Sequence, residues 1–176
     1  MRVIGGEFRS RMLKSVPGLD TRPTPDRMRE ALFNVLASRI EGASFSDLYA
    51  GTGAVGIEAL SRGARRVLFV EASRAAVGVI RQNLKALGVE ARTDVRQGKA
   101  TSLAAKLDAE IVFLDPPYSL EREYDTVLRL LGDRAPRLVI VQHDVRTKLE
   151  ASYGTLSHTR LMKQGDNCLS FFEPRQ

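Results

Sequence analysis

From residue 45 to residue 142 the chain alternates short apolar runs with amphipathic segments of helical period, and this alternation constrains the fold more than any other feature. Strand-like runs at 45–50, 67–71, 91–96, 111–114 and 138–142 are separated by helical patterns at 54–62, 73–87, 100–107 and 122–131. Strands joined through helices run parallel. Strands with no polar face need cover on both sides, and the helices supply it. The prediction is an α/β fold with a mostly parallel sheet. The tail departs from the pattern: runs at 155–162 and 168–172 flank Gln164-Gly165-Asp166-Asn167 and predict an antiparallel hairpin. Residues 1–16 alternate loosely around Gly5-Gly6 or Arg9-Ser10 and predict a small β-hairpin arm, broken by Pro17-Gly18. Thr24, between Pro23 and Pro25, suits an N-cap with Pro25 at the first helical position. The helix so predicted carries Met28, Ala31, Leu32, Val35 and Leu36 on its apolar face. The chain reads as one domain over 1–176: an arm (1–20), an entry segment and helix (21–42) and a core (43–176).

Composition removes several function classes. One cysteine, Cys168, excludes an internal disulfide and a thiolate metal cluster, and two histidines argue against a histidine-rich metal site. No apolar run is long enough to span a bilayer, and the first ten residues lack the apolar stretch of a secretory signal. A cytoplasmic, metal-free protein with no membrane partner is expected, as a monomer. Net charge is +6, and half of it falls in the first 30 residues. Arg2, Arg9, Arg11 and Lys14 make the arm a candidate surface for a polyanion, with a solvated basic face as the plain alternative. The arm is short and polar enough that the sheet core should not need it.

The turn after the first strand reads Asp47-Leu48-Tyr49-Ala50-Gly51-Thr52-Gly53-Ala54-Val55-Gly56. Gly51, Gly53 and Gly56 match G-x-G-x-x-G, where glycines let backbone approach a ligand and a helix N-terminus offers free N–H groups. Glu71, ending the next strand, is placed to bind ribose hydroxyls. A nicotinamide enzyme is one reading. Asp47 argues against it, because a carboxylate beside the loop suits a cationic ligand better than a pyrophosphate. S-adenosylmethionine (SAM) has a cationic methionine end and a ribose and no phosphate. The pattern resembles the cofactor motif of class I SAM-dependent methyltransferases. Tyr49 is a candidate for lining the cofactor pocket, and Arg22 and Thr24 for closing over it.

Asp115-Pro116-Pro117-Tyr118 follows the buried run at 111–114, at the end of a strand where open α/β sheets bind ligands. These residue types suit methyl transfer to an exocyclic amine, whose lone pair is delocalised into its base. Asp115 and the Pro116 carbonyl can each accept an amine hydrogen bond, the double proline Pro116-Pro117 aims that carbonyl, and Tyr118 offers a π-face for an extruded base.

The tetrapeptide is the signature of methyltransferases acting on adenine N6, cytosine N4 or guanine N2. With Arg2-Val3-Ile4-Gly5-Gly6, the Arg-Pro-Thr-Pro segment at 22–34 and the glycine loop extended to Gly63, the whole chain resembles the RsmD family, which methylates N2 of a guanine in 16S ribosomal RNA. The resemblance implies a Rossmann-like class I fold of seven strands with the last antiparallel. It implies SAM as cofactor and 16S rRNA as partner, presented on an assembling small ribosomal subunit. Such enzymes often follow the third strand with an acidic or amide residue on the cofactor's adenine. Lys99 here cannot accept a hydrogen bond, so adenine recognition falls to backbone near Lys99 and Ala100. The alternatives are a DNA adenine-N6 or cytosine-N4 methyltransferase, for which no separate target-recognition domain is visible, and a non-catalytic RNA-binding assembly factor, against which the intact Asp115 and Tyr118 argue. His143 reads as a surface or satisfied core histidine more readily than an active one, and Cys168 as a small buried hydrophobe.

Overall fold

The computed structural model describes residues 1–18 and 24–176. After α1 (Asp26–Val35) the chain alternates β1 (Ser44–Leu48), α2 (Ala54–Ser61), β2 (Arg66–Glu71), α3 (Arg74–Leu87), β3 (Thr93–Gln97), α4 (Ala100–Leu103), β4 (Ile111–Leu114), α5 (Glu121–Arg134) and β5 (Leu138–Asp144). It closes with β6 (Ser152–Tyr153), β7 (Leu156–Gln164) and β8 (Asn167–Pro174). These form one sheet of eight strands in the order β3-β2-β1-β4-β5-β8-β7-β6. The first five are mutually parallel, and β8 is antiparallel to both β5 and β7. The seven strands implied by the resemblance are present. The eighth, β6, has only two residues, too short for any periodicity to reveal it.

Alternate residues of each strand enter opposite layers, as the two-residue period of a strand requires. Phe113, Ile140 and Phe171 pack with α1, α2 and α3 on one face; Leu114, Val141 and Phe172 pack with α4 and α5 on the other. Helix α2 is buried on every side, which its nearly continuous apolar sequence allows. Ser73 caps α3 by accepting from the Ala76 N–H at 3.3 Å, and Gly88 closes it in the left-handed conformation.

Two expectations need correction. Thr24 is not the cap of α1. Pro25 occupies the cap position without a side-chain bond, and the Thr24 hydroxyl donates instead to Gln142 Oε1 on β5 at 3.1 Å. Nor is the arm dispensable to the core. Val3, Phe8 and Leu13 are buried in the layer that holds α1 and α2, and Val16 packs on Ala76 and Val79 of α3. The arm is a hairpin-like loop closed by one bridge, Arg2 to Met12, and its turn runs from residue 5 to residue 10. It docks on α2: the buried Glu58 carboxylate accepts the N–H groups of Ile4 and Gly5, each at 2.9 Å, and Ser61 Oγ accepts that of Phe8. The fully buried Arg29 lies 3.7 Å from Glu58 and donates to the Arg2 carbonyl. The arm is held by these polar anchors as well as by its buried apolar residues, and hydrophobic periodicity does not register the anchors.

Candidate active site

The chain passes from β1 outward through β2 to β3, then returns to β4 on the other side of β1. The carboxyl ends of β1 and β4 therefore flank a topological switch point, where an open sheet leaves a crevice. Leu48 pairs with Leu114, so β1 and β4 end side by side there, and Tyr49 and Asp115 are the first residues beyond them. The predicted residues Asp47, Gly51, Gly53, Glu71, Ala100 and the 115–118 tetrapeptide all lie around this end of the sheet.

The three glycines answer different demands. Gly51 and Gly53 have φ of +58° and +82°, and Gly53 starts α2 in the left-handed conformation. Gly56 has ordinary helical geometry, but a Cβ there would stand 2.3 Å from the Phe69 ring, so it sets the approach of α2 to β2. Side chains hold the loop from two strands. The Asp47 carboxylate accepts the Gly56 N–H at 2.9 Å, and Glu71 accepts from Gly51 at 2.8 Å and from Ser73 at 2.9 Å. Tyr49 has a positive φ of 62° and its hydroxyl bonds to Glu123 of α5, a partner no sequence pattern indicated.

The electrostatics are those of a crowded acidic crevice. Burial pushes the Asp47 carboxyl well up; the Gly56 N–H opposes this, and the charges of Asp115 and Glu71 add to it. Desolvation pushes Asp115 up to about 7, although its side chain keeps partial access to solvent. Tyr118 begins a short 3-10 turn after Pro117, stands 49 % exposed, and donates from its hydroxyl to Asn167 Oδ1 at 3.2 Å. Ala100 is buried at the start of α4, beside the end of β3, where Gln97 pairs with Glu71. Thr24 is brought to the carboxyl end of β5 by its bond to Gln142, next to Tyr124, whose hydroxyl donates to the Gln142 carbonyl. Arg22 lies outside the described residues. His143 is a satisfied core histidine, bonded to Ser170 Oγ and to the Asp144 carbonyl, and Cys168 is buried in β8. Arg2, Arg9, Arg11 and Lys14 are all exposed on the arm. Arg11 donates to the Ala86 carbonyl and Lys14 to Gln82, so both lie against α3. Two hollows of about 200 and 400 Å³, around Glu110 and Arg137, lie at the opposite rim of the sheet and include none of these residues.

Carboxyl groups at the ends of β1, β2 and β4 suit a ligand that carries donor groups such as ribose hydroxyls and an amine, and no phosphate; Asp47 is buried and acts on the loop through Gly56, and the loop is open enough that a Cβ at Gly51 would touch nothing. Fold and site define a class I SAM-dependent methyltransferase. A family model described as Conserved hypothetical protein 95 matches residues 1–173. Escherichia coli (strain K12) Ribosomal RNA small subunit methyltransferase D is 37% identical over 155 residues, covering 85% of this chain and 77% of that protein. Bacillus subtilis (strain 168) YlbH is 34% identical over 184 residues, covering 99% of this chain and all of that protein. The solved structure of Escherichia coli yhhF superposes with a TM-score of 0.86 at 34% identity, over 99% of this chain and 98% of that one. The chain belongs to the RsmD family.

Proposed function

We propose that this protein transfers a methyl group from SAM to the exocyclic N2 amine of a guanine in 16S rRNA, acting on an assembling small ribosomal subunit. The coarser part, methylation of ribosomal RNA, is supported by the relative named Ribosomal RNA small subunit methyltransferase D. The observation that carries the exocyclic-amine reading is Asp115: a desolvated carboxylate at the switch point, followed by a double proline and an exposed tyrosine; the choice of guanine N2 among such amines rests on the family resemblance.

Asp47, Glu71, Gly51 and Gly53 are the residues proposed to hold the cofactor, with Tyr49, Thr24, Arg22 and the backbone at Ala100 lining its pocket. Bound there, SAM supplies an electrophilic methyl on a sulfonium that leaves as a neutral thioether. Asp115 accepts one amine hydrogen and the Pro116 carbonyl the other, which turns the nitrogen lone pair toward the methyl group. As the N–C bond forms, the nitrogen becomes cationic, and one of its protons passes to Asp115 Oδ. A carboxylate titrating near 7 suits that transfer at neutral pH. Tyr118 stacks on the extruded guanine, oriented through its bond to Asn167. The basic arm contacts phosphate away from the crevice. Its cations continue onto α3, which carries Arg74, Arg81 and Lys85 exposed along one stripe and contains no carboxylate. Incubation with methyl-labelled SAM and small subunits lacking the modification, followed by digestion to nucleosides, tests the proposal. Label in N2-methylguanosine supports it, and label in any other nucleoside refutes the assignment.

A further inference from the structure

Asn83 lies on the buried face of α3, 2% exposed, and its single carboxamide touches two separate parts of the molecule. Its Oδ1 accepts the backbone N–H of Lys14 at 2.8 Å, and its Nδ2 donates to the Lys14 carbonyl at 3.2 Å. The same nitrogen donates to the Thr52 carbonyl at 3.2 Å. Lys14 belongs to the basic arm, and Thr52 is the residue between Gly51 and Gly53 of the cofactor loop.

We propose that Asn83 is a positioning residue for methyl transfer: its amide fastens the cofactor loop to the basic arm, so that RNA seated on the arm and cofactor seated in the loop strengthen each other's binding. The inference rests on the RNA reading above and adds the link between the two sites. The peptide plane that contains the Thr52 carbonyl also contains the Gly53 N–H, because the peptide unit is rigid. A bond to that carbonyl therefore also fixes the Gly53 N–H, which donates to the Ala50 carbonyl at 2.8 Å and closes the turn that leads into α2. Asp47 and Glu71 anchor Gly56 and Gly51 from the strands. Asn83 is a further anchor, and it bonds to the arm as well, alongside a long direct contact from the Thr52 hydroxyl to Met1 Sδ at 3.7 Å. Lys14 is divided in the way such a link needs: its backbone is clamped by Asn83, while its side chain is exposed and, among the described residues, bonds to Gln82 at 3.2 Å. Phosphate held by that ammonium orders the segment against Asn83, and the ordered amide holds Thr52. No other side chain of this size offers two donors and an acceptor at once. Aspartate lacks the donors, and leucine lacks both.

Coupling of this kind is reciprocal: cofactor must raise RNA affinity by the factor by which RNA raises cofactor affinity. The test is the affinity of labelled S-adenosylhomocysteine, measured by equilibrium dialysis with and without saturating unmodified small subunits, for wild type, Asn83→Asp, Asn83→Leu and Lys14→Ala. Wild type should show coupling of about five- to twentyfold, an ordinary size for linked sites. Both Asn83 variants should fall below about twofold, with the KM for SAM raised about tenfold, kcat changed far less, and the salt dependence of RNA binding as in wild type. Lys14→Ala should bind RNA more weakly with a shallower salt dependence, and keep its unliganded S-adenosylhomocysteine affinity because its backbone bonds survive. An Asn83 that merely supports the fold would lower the melting temperature of the variants and leave the coupling intact, which overturns the proposal. Wild-type protein that binds the subunit without any coupling also overturns it, whether or not the variants fold. Wild-type protein that binds no subunit refutes the RNA reading instead.

Discussion

Asp115 carries two consequences that can be measured apart. Its carboxyl is pushed up to about 7 by burial, against 3.8 for an ordinary aspartate. An acid raised in the folded state contributes full stability below its unfolded pKa, where both states are protonated. That contribution is lost as pH climbs from about 4 to about 7, because the folded protein must then hold a desolvated charge. Asp115→Asn removes the charge. It should leave the melting temperature unchanged near pH 4 and raise it above pH 7, with a ceiling of about 4 kcal/mol from the size of the shift. The same substitution should abolish methyl transfer while leaving S-adenosylhomocysteine affinity within a few-fold, since the proposed partner of Asp115 is the base. For wild type, kcat/KM for RNA should rise with pH through about 7, as the accepting carboxylate forms; a profile that falls over this range would contradict the role. Glu71→Ala should weaken cofactor binding by roughly 1.5–3 kcal/mol, and calorimetry with S-adenosylhomocysteine reads the loss. Part of that loss comes from freeing the Gly51 N–H.

At the scale of elements, the loop and the arm differ in what a substitution should do. Gly56→Ala forces a methyl into the Phe69 ring and should cost about 1–3 kcal/mol of stability by thermal melting. Glu58→Gln removes one partner of a buried ion pair that also anchors the arm, and should cost about 3–5 kcal/mol. An unchanged melting temperature would mean that the arm is not held through Glu58. These elements also show what the chain discloses before it folds. The alternation of strand and helix, the capped and glycine-closed α3, the C-terminal hairpin and the glycine loop are local patterns, and each appears where it was expected. The arm's docking, the Thr24 bond to Gln142 and the Tyr118 bond to Asn167 join residues distant in sequence, and no local period carries them. A weaker signal was present for some: Arg29, Glu58 and Asn83 are polar residues on helix faces that are otherwise buried, and such interruptions mark sites where a side chain is held by a distant partner.

At the scale of the whole molecule, the proposed function makes the crevice and the basic surface separate parts of one binding event. Replacing Arg2, Arg9, Arg11 and Lys14 with alanine should weaken subunit binding and reduce the slope of log affinity against log salt by about 3, if each cation holds one phosphate. The four side chains are exposed, so the melting temperature should change little, while the backbone of the arm stays docked on α2 and α3. An unchanged slope would mean a merely solvated face. The proposed reaction is methylation of N2 of a guanine in small-subunit RNA at the Asp115 crevice. The most direct measurement compares wild type with Asp115→Asn on unmodified small subunits and labelled SAM, with nucleoside analysis of the product. Label in N2-methylguanosine is expected for wild type and none for the variant. Label in another nucleoside, or a variant that methylates as fast as wild type, would contradict it.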